Sequence, residues 1–326
     1  MKRFKMLLNA NFSGPQAWLL LAIRRGYVAE AGVELEFTPG TGAYNAAPGL
    51  VARGFDLAYG DLNSLIEVAA AEPERAPTCV HALFNASAAA VAVPAGSAIA
   101  TPADLKGKHL IGHASDVGLR TFRAFAEATG LDPDAVKVET ADGAMAELVA
   151  RLDTEHGPHG LFGYVSTITS ALAAQGKDAG TQLRWLRYDH YAPFFYGSGF
   201  MASPRVIAEE PEALTRLVGA INRGVVEALA DEEAALDAVL SFAPEADREV
   251  ERIRWRTTIA VELAHPDGVR LGLGMIDTAR FGESVRRHAS ALKLPRVPAA
   301  ERLFTPRFLP PAAELARIRP TQGAVA

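Results

Sequence analysis

Short apolar runs alternate with segments of helical periodicity along the first two thirds of this chain, and nothing else in the sequence restricts the fold as strongly. Residues 4–8, 33–37, 55–59, 78–85 and 88–93 read as strands, and helical patterns fall over 15–25, from Gly42 to Arg53, and over 62–71. A helix between two strands brings the second back parallel to the first, so this order predicts mostly parallel sheets with helices on both faces. Residues 94–102 are rich in Gly, Ser and Pro and read as a crossover. Beyond them the pattern restarts, with strands at 108–112, 136–139, 160–164 and 183–187 and helices at 115–129, 143–152 and 166–175. Residues 198–202 supply one more strand, after which helices dominate, at 211–230, 232–241, 246–264 and 275–291. These helices have no strands of their own and are assigned to the first sheet, and the proline-bearing tail from Pro295 to the surface.

A chain of 326 residues exceeds what one hydrophobic core usually organises. Two doubly wound α/β units are therefore expected, with residues 1–93 and 196–326 forming a discontinuous lobe I and residues 94–195 forming lobe II. The apolar share of 49% is enough for two substantial cores. A net charge of −5 leaves no basic footprint, so no nucleic-acid partner is expected. Cys79, the one cysteine, excludes an internal disulfide and a cysteine-rich metal site, and its apolar surroundings mark a buried, inert thiol. His113, His156, His159 and His190 lack the spacing of a helical ligand pair, and neither a metal nor a cofactor is expected. No apolar run approaches the roughly 20 residues that span a membrane. Lys2, Arg3 and Lys5 precede only Met6-Leu-Leu8, too short for a secretory leader, so the chain reads as cytoplasmic or as having lost its leader.

Open parallel sheets bind ligands beyond the carboxyl ends of their strands. Those ends carry Asn9-Ala-Asn11-Phe12-Ser-Gly-Pro-Gln16, Thr41 to Tyr44, Asp61, His113-Ala-Ser115-Asp116 and Tyr164-Val-Ser166, which converge on one cleft between the units. Ser115 sits where a helix begins, and either caps it or offers hydroxyl and backbone N–H groups to an anionic or carbonyl ligand. Asp116 either complements the helix dipole or binds an N–H. Asn9, Asn11 and Gln16 can donate and accept at the first strand's mouth, or serve turn chemistry alone. Asp61 either caps the helix over 62–71 or holds a cationic or N–H-bearing ligand. Tyr44, Tyr59, Tyr164 and Tyr196 offer stacking faces for a flat ligand, whereas Trp18 lies in an apolar helix face and reads as core. His113, Ser115 and Asp116 are too close in sequence for a catalytic triad, and Gly197-Ser-Gly199 lacks the nucleophile-elbow pattern.

Several of these stretches together resemble a known family. Residues 22–37, with Gly26-Tyr27 and Gly32-Val-Glu34, resemble the "A-x-x-x-G-Y-F-x-x-x-G-L-x-V-E" segment of solute-binding proteins of the sulfonate/taurine and thiamine-pyrimidine group. Asp104-Leu-Lys-Gly-Lys-His-Leu-Ile-Gly112 resembles that family's "D-L-K-G-K-x-I-G" strand, Gly54 to Gly60 its "G-x-x-D-x-A" strand, and Phe195 to Ser203 its return strand. The resemblance covers roughly residues 4–230. It implies a type II periplasmic-binding-protein fold whose two lobes, joined by two crossovers, close on one small molecule without catalysis. It also implies an ABC permease as partner, a monomeric state and a periplasmic or cell-envelope location. The family's yeast pyrimidine synthase carries a cysteine-rich motif that this chain lacks, which argues against that activity. A cytoplasmic enzyme on the same scaffold, acting on a pyrimidine-like or small acidic substrate, and a cytoplasmic ligand sensor stand as the alternatives. Sulfonate, aromatic carboxylate and aminopyrimidine ligands all remain open.

Overall fold

The structure is a computed structural model and describes residues 1–318. Ten strands divide equally between two sheets. The first contains β1 (Lys2–Leu7), β2 (Val33–Thr38), β3 (Leu57–Asp61), β4 (Thr78–His81) and β10 (Ser198–Ala202), in the order β2-β1-β3-β10-β4. The second contains β5 (Ala89–Pro94), β6 (His109–Gly112), β7 (Lys137–Thr140), β8 (Gly160–Tyr164) and β9 (Leu183–Arg187), in the order β7-β6-β8-β5-β9. β1 pairs in parallel with β2 and β3, and β6 in parallel with β7 and β8. Each sheet also takes one antiparallel strand, β10 between β3 and β4 and β5 between β8 and β9. The chain crosses between sheets twice, through residues 82–88 and 188–197.

The first crossover lies earlier than the sequence suggested. Ala89–Pro94 pairs within the second sheet, so the expected break at 93/94 falls at the end of a second-lobe strand. Residues 78–93 are mostly apolar and almost wholly buried, and the two polar residues of the hand-over, Asn85 and Ser87, are buried with them, so neither a Gly/Pro break nor an exposed loop marks where one sheet passes to the other. The Pro- and Gly-bearing stretch after it ends β5 instead.

One face of the first sheet packs on helices Ala17–Arg24, Pro211–Ala230 and Glu232–Phe242, with Trp18 fully buried against Tyr59 at 5.2 Å between ring centroids. The other face is covered by Ala46–Arg53, Leu62–Ala71 and Thr278–Ala291. Late helices thus lie on both faces of the first sheet, with one exception in part. Arg248–Thr258 also packs against Val165–Ala173 of the second unit and so spans the two lobes. It has few apolar residues to commit to one core, and its buried face includes Glu251, Trp255 and Thr258. Cys79 is buried in β4 beside Phe304, and burial pushes its thiol up to about 12. Among the described residues no helix is long and apolar enough to cross a membrane.

Candidate functional site

β3 runs two residues further than its apolar pattern suggested and passes into helix Leu62–Ala71 with no intervening loop. Asp61 is therefore both the last residue of the strand and the helix cap, its Oδ1 accepting from the Asn63 backbone N–H and from Asn63 Nδ2 at 2.9 Å each. Tyr59 and Asp61 are two apart on the strand and share one face of the sheet. Ser198 lies opposite Asp61 in the antiparallel β10 register and joins that face. From the second sheet, β8 ends at Tyr164, whose hydroxyl lies 3.4 Å from Asp61 Oδ2. The following helix places Ser166 Oγ 3.4 Å from Glu262 Oε1. Glu262 sits on a π-helical turn, Ile259–Leu263, that continues the lobe-spanning helix. Such turns often occur where a helix re-aims a side chain at a functional site.

This centre is buried and acidic. Asp61 and Glu262 are both buried, and among the described residues no Lys, Arg or His nitrogen lies within 4.0 Å of either. Burial raises Asp61 to about 7 against the opposing hydrogen bonds from Asn63. Burial raises Glu262 to about 8, with the Asp61 charge adding to the shift and Ser166 opposing it. Burial followed by the charges of Asp61, Glu262 and Asp116 holds the Tyr164 phenol well above its ordinary value. Among the described residues the Tyr59 hydroxyl, Ser198 Oγ, Thr258 Oγ1 and Trp255 Nε1 are buried with no partner at hydrogen-bonding distance, although Ser198 lies close enough to Tyr59 and Tyr164, and Thr258 to Glu262, to oppose the upward shifts of those groups. Buried hydroxyls without a close partner, beside two carboxyls that no cation pairs, are expensive in a packed interior, where such groups are nearly always satisfied.

Toward solvent, Thr41, Asn45, His113, Ala114, Ser115, Asp142 and Gly143 line a hollow of about 470 Å³ at the mouth between the lobes. His113 Nε2 is 2.8 Å from the Gly143 carbonyl oxygen. Ser115 does not cap the helix. That helix begins at Val117, and Asp116 caps it by accepting from the Leu119 N–H at 3.1 Å. Asp116 is nonetheless raised to about 6, by burial. Ser115 instead abuts the first lobe at Gly42, where a Cβ would lie 2.6 Å from its Oγ.

Other sequence-selected residues fall away from this centre. Gln16 donates to Asn9 Oδ1 at 2.6 Å and accepts from Ser13, so both tie down the first loop. Asn11 is exposed. Phe12 packs on Phe37 and Phe242, at 5.6 and 5.2 Å between centroids, as an apolar plug of lobe I. Tyr44 is buried, donates to Glu67 and lies 3.4 Å from His288 Nε2. Tyr196 lies in the second crossover, its hydroxyl accepting from the Asp277 N–H at 2.9 Å and its ring lying 3.7 Å under the Arg280 guanidinium. The structure thus brings together Asp61 and Tyr164 at the centre and Thr41, His113 and Ser115 at the mouth. Glu262 was missed, because its only signal is a lone acid flanked by Val261 and Leu263 in a late helix. Ser198 stood in the return strand with nothing to mark its direction.

The sequence matches the family described as NMT1/THI5 like over residues 15–235. No curated protein matches it. The alkanesulfonate-binding protein SsuA from Xanthomonas axonopodis pv. citri, bound to MOPS, superposes with a TM-score of 0.68 at 14% identity, covering 94% of this chain and 98% of that one. The periplasmic aliphatic sulphonate binding protein SsuA from Escherichia coli gives 0.67 at 13% identity, over 93% and 97%. The desulfurization enzyme DSZB gives 0.60 at 14% identity, over 94% and 98%. At such identities the likeness establishes the fold, the two-lobed type II periplasmic-binding-protein architecture.

Proposed function

Since this chain belongs to the NMT1/THI5-like family, we propose that it is a receptor that closes its two lobes on one small polar molecule, as the solute-binding component of an ABC importer. The observation that carries this reading is the buried centre between the sheets. Asp61, Tyr59 and Ser198 come from one lobe and Tyr164 and Ser166 from the other, with Glu262 on the spanning helix. A ligand that supplies partners to those orphaned groups stabilises only the arrangement in which both lobes reach it, and so shifts the population toward closure. Asp61, Tyr59, Tyr164, Ser166, Ser198 and Glu262 are assigned to direct contact, and Thr41, His113 and Ser115 to the entrance. The transporter would read the closed form outside the cytoplasm, with the permease as partner.

An enzyme on this scaffold is the second reading, favoured by carboxyls raised to about 7 and about 8, values suited to proton transfer near neutrality. The lone thiol is no candidate nucleophile, being buried in β4 and raised to about 12. The test is a ligand screen by thermal shift, with the hits followed by small-angle scattering and by mass spectrometry of the recovered ligand. Ligand-induced compaction with the ligand returned unchanged is the expected result. Conversion of the ligand overturns the receptor reading in favour of the enzyme.

A further inference from the structure

Resting on that reading of the cleft, we propose that the ligand is a small organic cation, an ammonium or amidinium that donates hydrogen bonds to Asp61 and Glu262, and not a sulfonate or another anion.

The chain's treatment of its other buried acids provides the contrast. Asp267 is paired with Arg270 at 2.8 Å and Arg280 at 2.9 Å, and Glu251 with Arg254 at 3.0 Å. Asp61 and Glu262, equally buried, have no such partner among the described residues. Asp61 Oδ1 is saturated by Asn63, but Oδ2 has only the long 3.4 Å contact from Tyr164. Glu262 Oε1 has the equally long contact from Ser166, and the Thr258 hydroxyl lies near the same carboxyl without closing to hydrogen-bonding distance. Neither acid thus has a close donor on its remaining oxygens, and the Tyr59, Ser198 and Thr258 hydroxyls beside them lack close partners too. The nearby cation is already committed, since Arg254 donates to Glu251 and to Ser170 Oγ at 2.9 Å. An anion entering here would meet two carboxyls and no fixed positive side chain, whereas a cation supplies what both acids lack.

Binding then carries a proton signature. Burial leaves both acids partly protonated near neutral pH, at about 7 and about 8. A cation favours their ionised forms, so protons pass to solvent as it binds.

The test uses the full chain and matched probes on one skeleton: benzamidinium, benzylammonium, benzamide and benzenesulfonate, extended to aliphatic amines, guanidines and the corresponding alkanesulfonates. The expected result is a saturable rise in melting temperature with at least one cation and none with the sulfonates. Calorimetry at pH 7 in two buffers of different ionisation enthalpy should show proton release. Asp61→Asn and Glu262→Gln should each weaken that cation at least tenfold. Both substitutions remove a buried charge, and a cooperative melting transition in each variant shows that the loss is not unfolding. Stabilisation by sulfonates alone overturns the assignment and leaves the receptor standing. Failure of every cation, or cation binding unchanged in both variants, also overturns it. Consumption of a bound cation keeps the assignment and removes the non-catalytic reading.

Discussion

Asp61 and Tyr164 terminate strands of two different sheets, and their side chains meet between the lobes with the phenol oxygen 3.4 Å from Asp61 Oδ2. The contact joins a carboxyl raised by burial to a phenol raised by burial and by that same carboxyl. The centre is therefore sensitive to the charge on Asp61.

The stability of the unliganded protein should fall as pH rises. An acid whose folded value is raised binds more protons folded than unfolded, so its contribution is fully present below the ordinary carboxyl range and is lost as pH passes the folded value. For Asp61, raised from 3.8 to about 7, and Glu262, raised from 4.5 to about 8, the window runs from about pH 4 to about pH 8. Melting temperatures across that range should decline, and Asp61→Asn should flatten part of the decline, its effect on stability being roughly 3 kcal/mol more favourable at pH 8 than at pH 5. An unchanged pH profile in that variant would show that Asp61 does not titrate as described.

Gly42→Val should hinder closure. Gly42 has φ 125°, which a β-branched residue adopts only with strain, and its Cβ would lie 2.6 Å from Ser115 Oγ across the mouth. The variant is expected to fold, to weaken ligand binding more than tenfold, and to retain a larger radius of gyration at saturating ligand. Scattering profiles matching wild type would show that the mouth contact does not limit closure.

Arg280→Ala should destabilise the hinge. The guanidinium donates to the Asn85 carbonyl at 2.7 Å in the first crossover and to the Pro193 carbonyl at 2.9 Å in the second. It also pairs with buried Asp267 at 2.9 Å. Removing one partner of a buried pair costs about 3–5 kcal/mol, partly offset here because Arg270 remains on Asp267. Arg280→Lys should recover little, since a single ammonium cannot reproduce the planar fork that spans both carbonyls. Urea melts of the two variants measure this, and full recovery with lysine would refute the bridging role.

Arg120→Ala should act on kinetics more than on stability. Arg120, on the second lobe, lies 3.6 Å from Glu67 on the first and stacks 5.1 Å from the Tyr44 ring. The pair is partly exposed, so its loss should cost less than about 1 kcal/mol. Its place across the lobe boundary predicts ligand release several times faster by stopped flow. An unaltered release rate would remove Arg120 from the closure contacts.

Much of the architecture was legible from periodicity. The strands at 160–164, 183–187 and 198–202 and the helix at 211–230 occur where their patterns placed them. Boundaries failed where the local signal was uniform. Residues 78–93 are mostly apolar on both sides of the sheet switch, and Asp61, which the pattern places after the strand as a helix cap, caps the helix while also being the last residue of that buried strand. The site was legible only in part. Asp61 and Tyr164 stand at strand ends, where topology puts ligands, whereas Glu262 lies in a helix remote in sequence from both.

By itself the sequence determined which segments are strands and helices and that they make two α/β units, because alternation and helical spacing are local properties that burial of apolar faces enforces. Tertiary structure decided which polar residues share a space. Asp61, Ser198 and Glu262 meet through an antiparallel return strand and a lobe-spanning helix with a π turn, and neither pairing register nor helix docking is a property of any one segment. It also decided their charge, since an acid's proton affinity depends on whether water and cations reach it, which only the packed lobes determine.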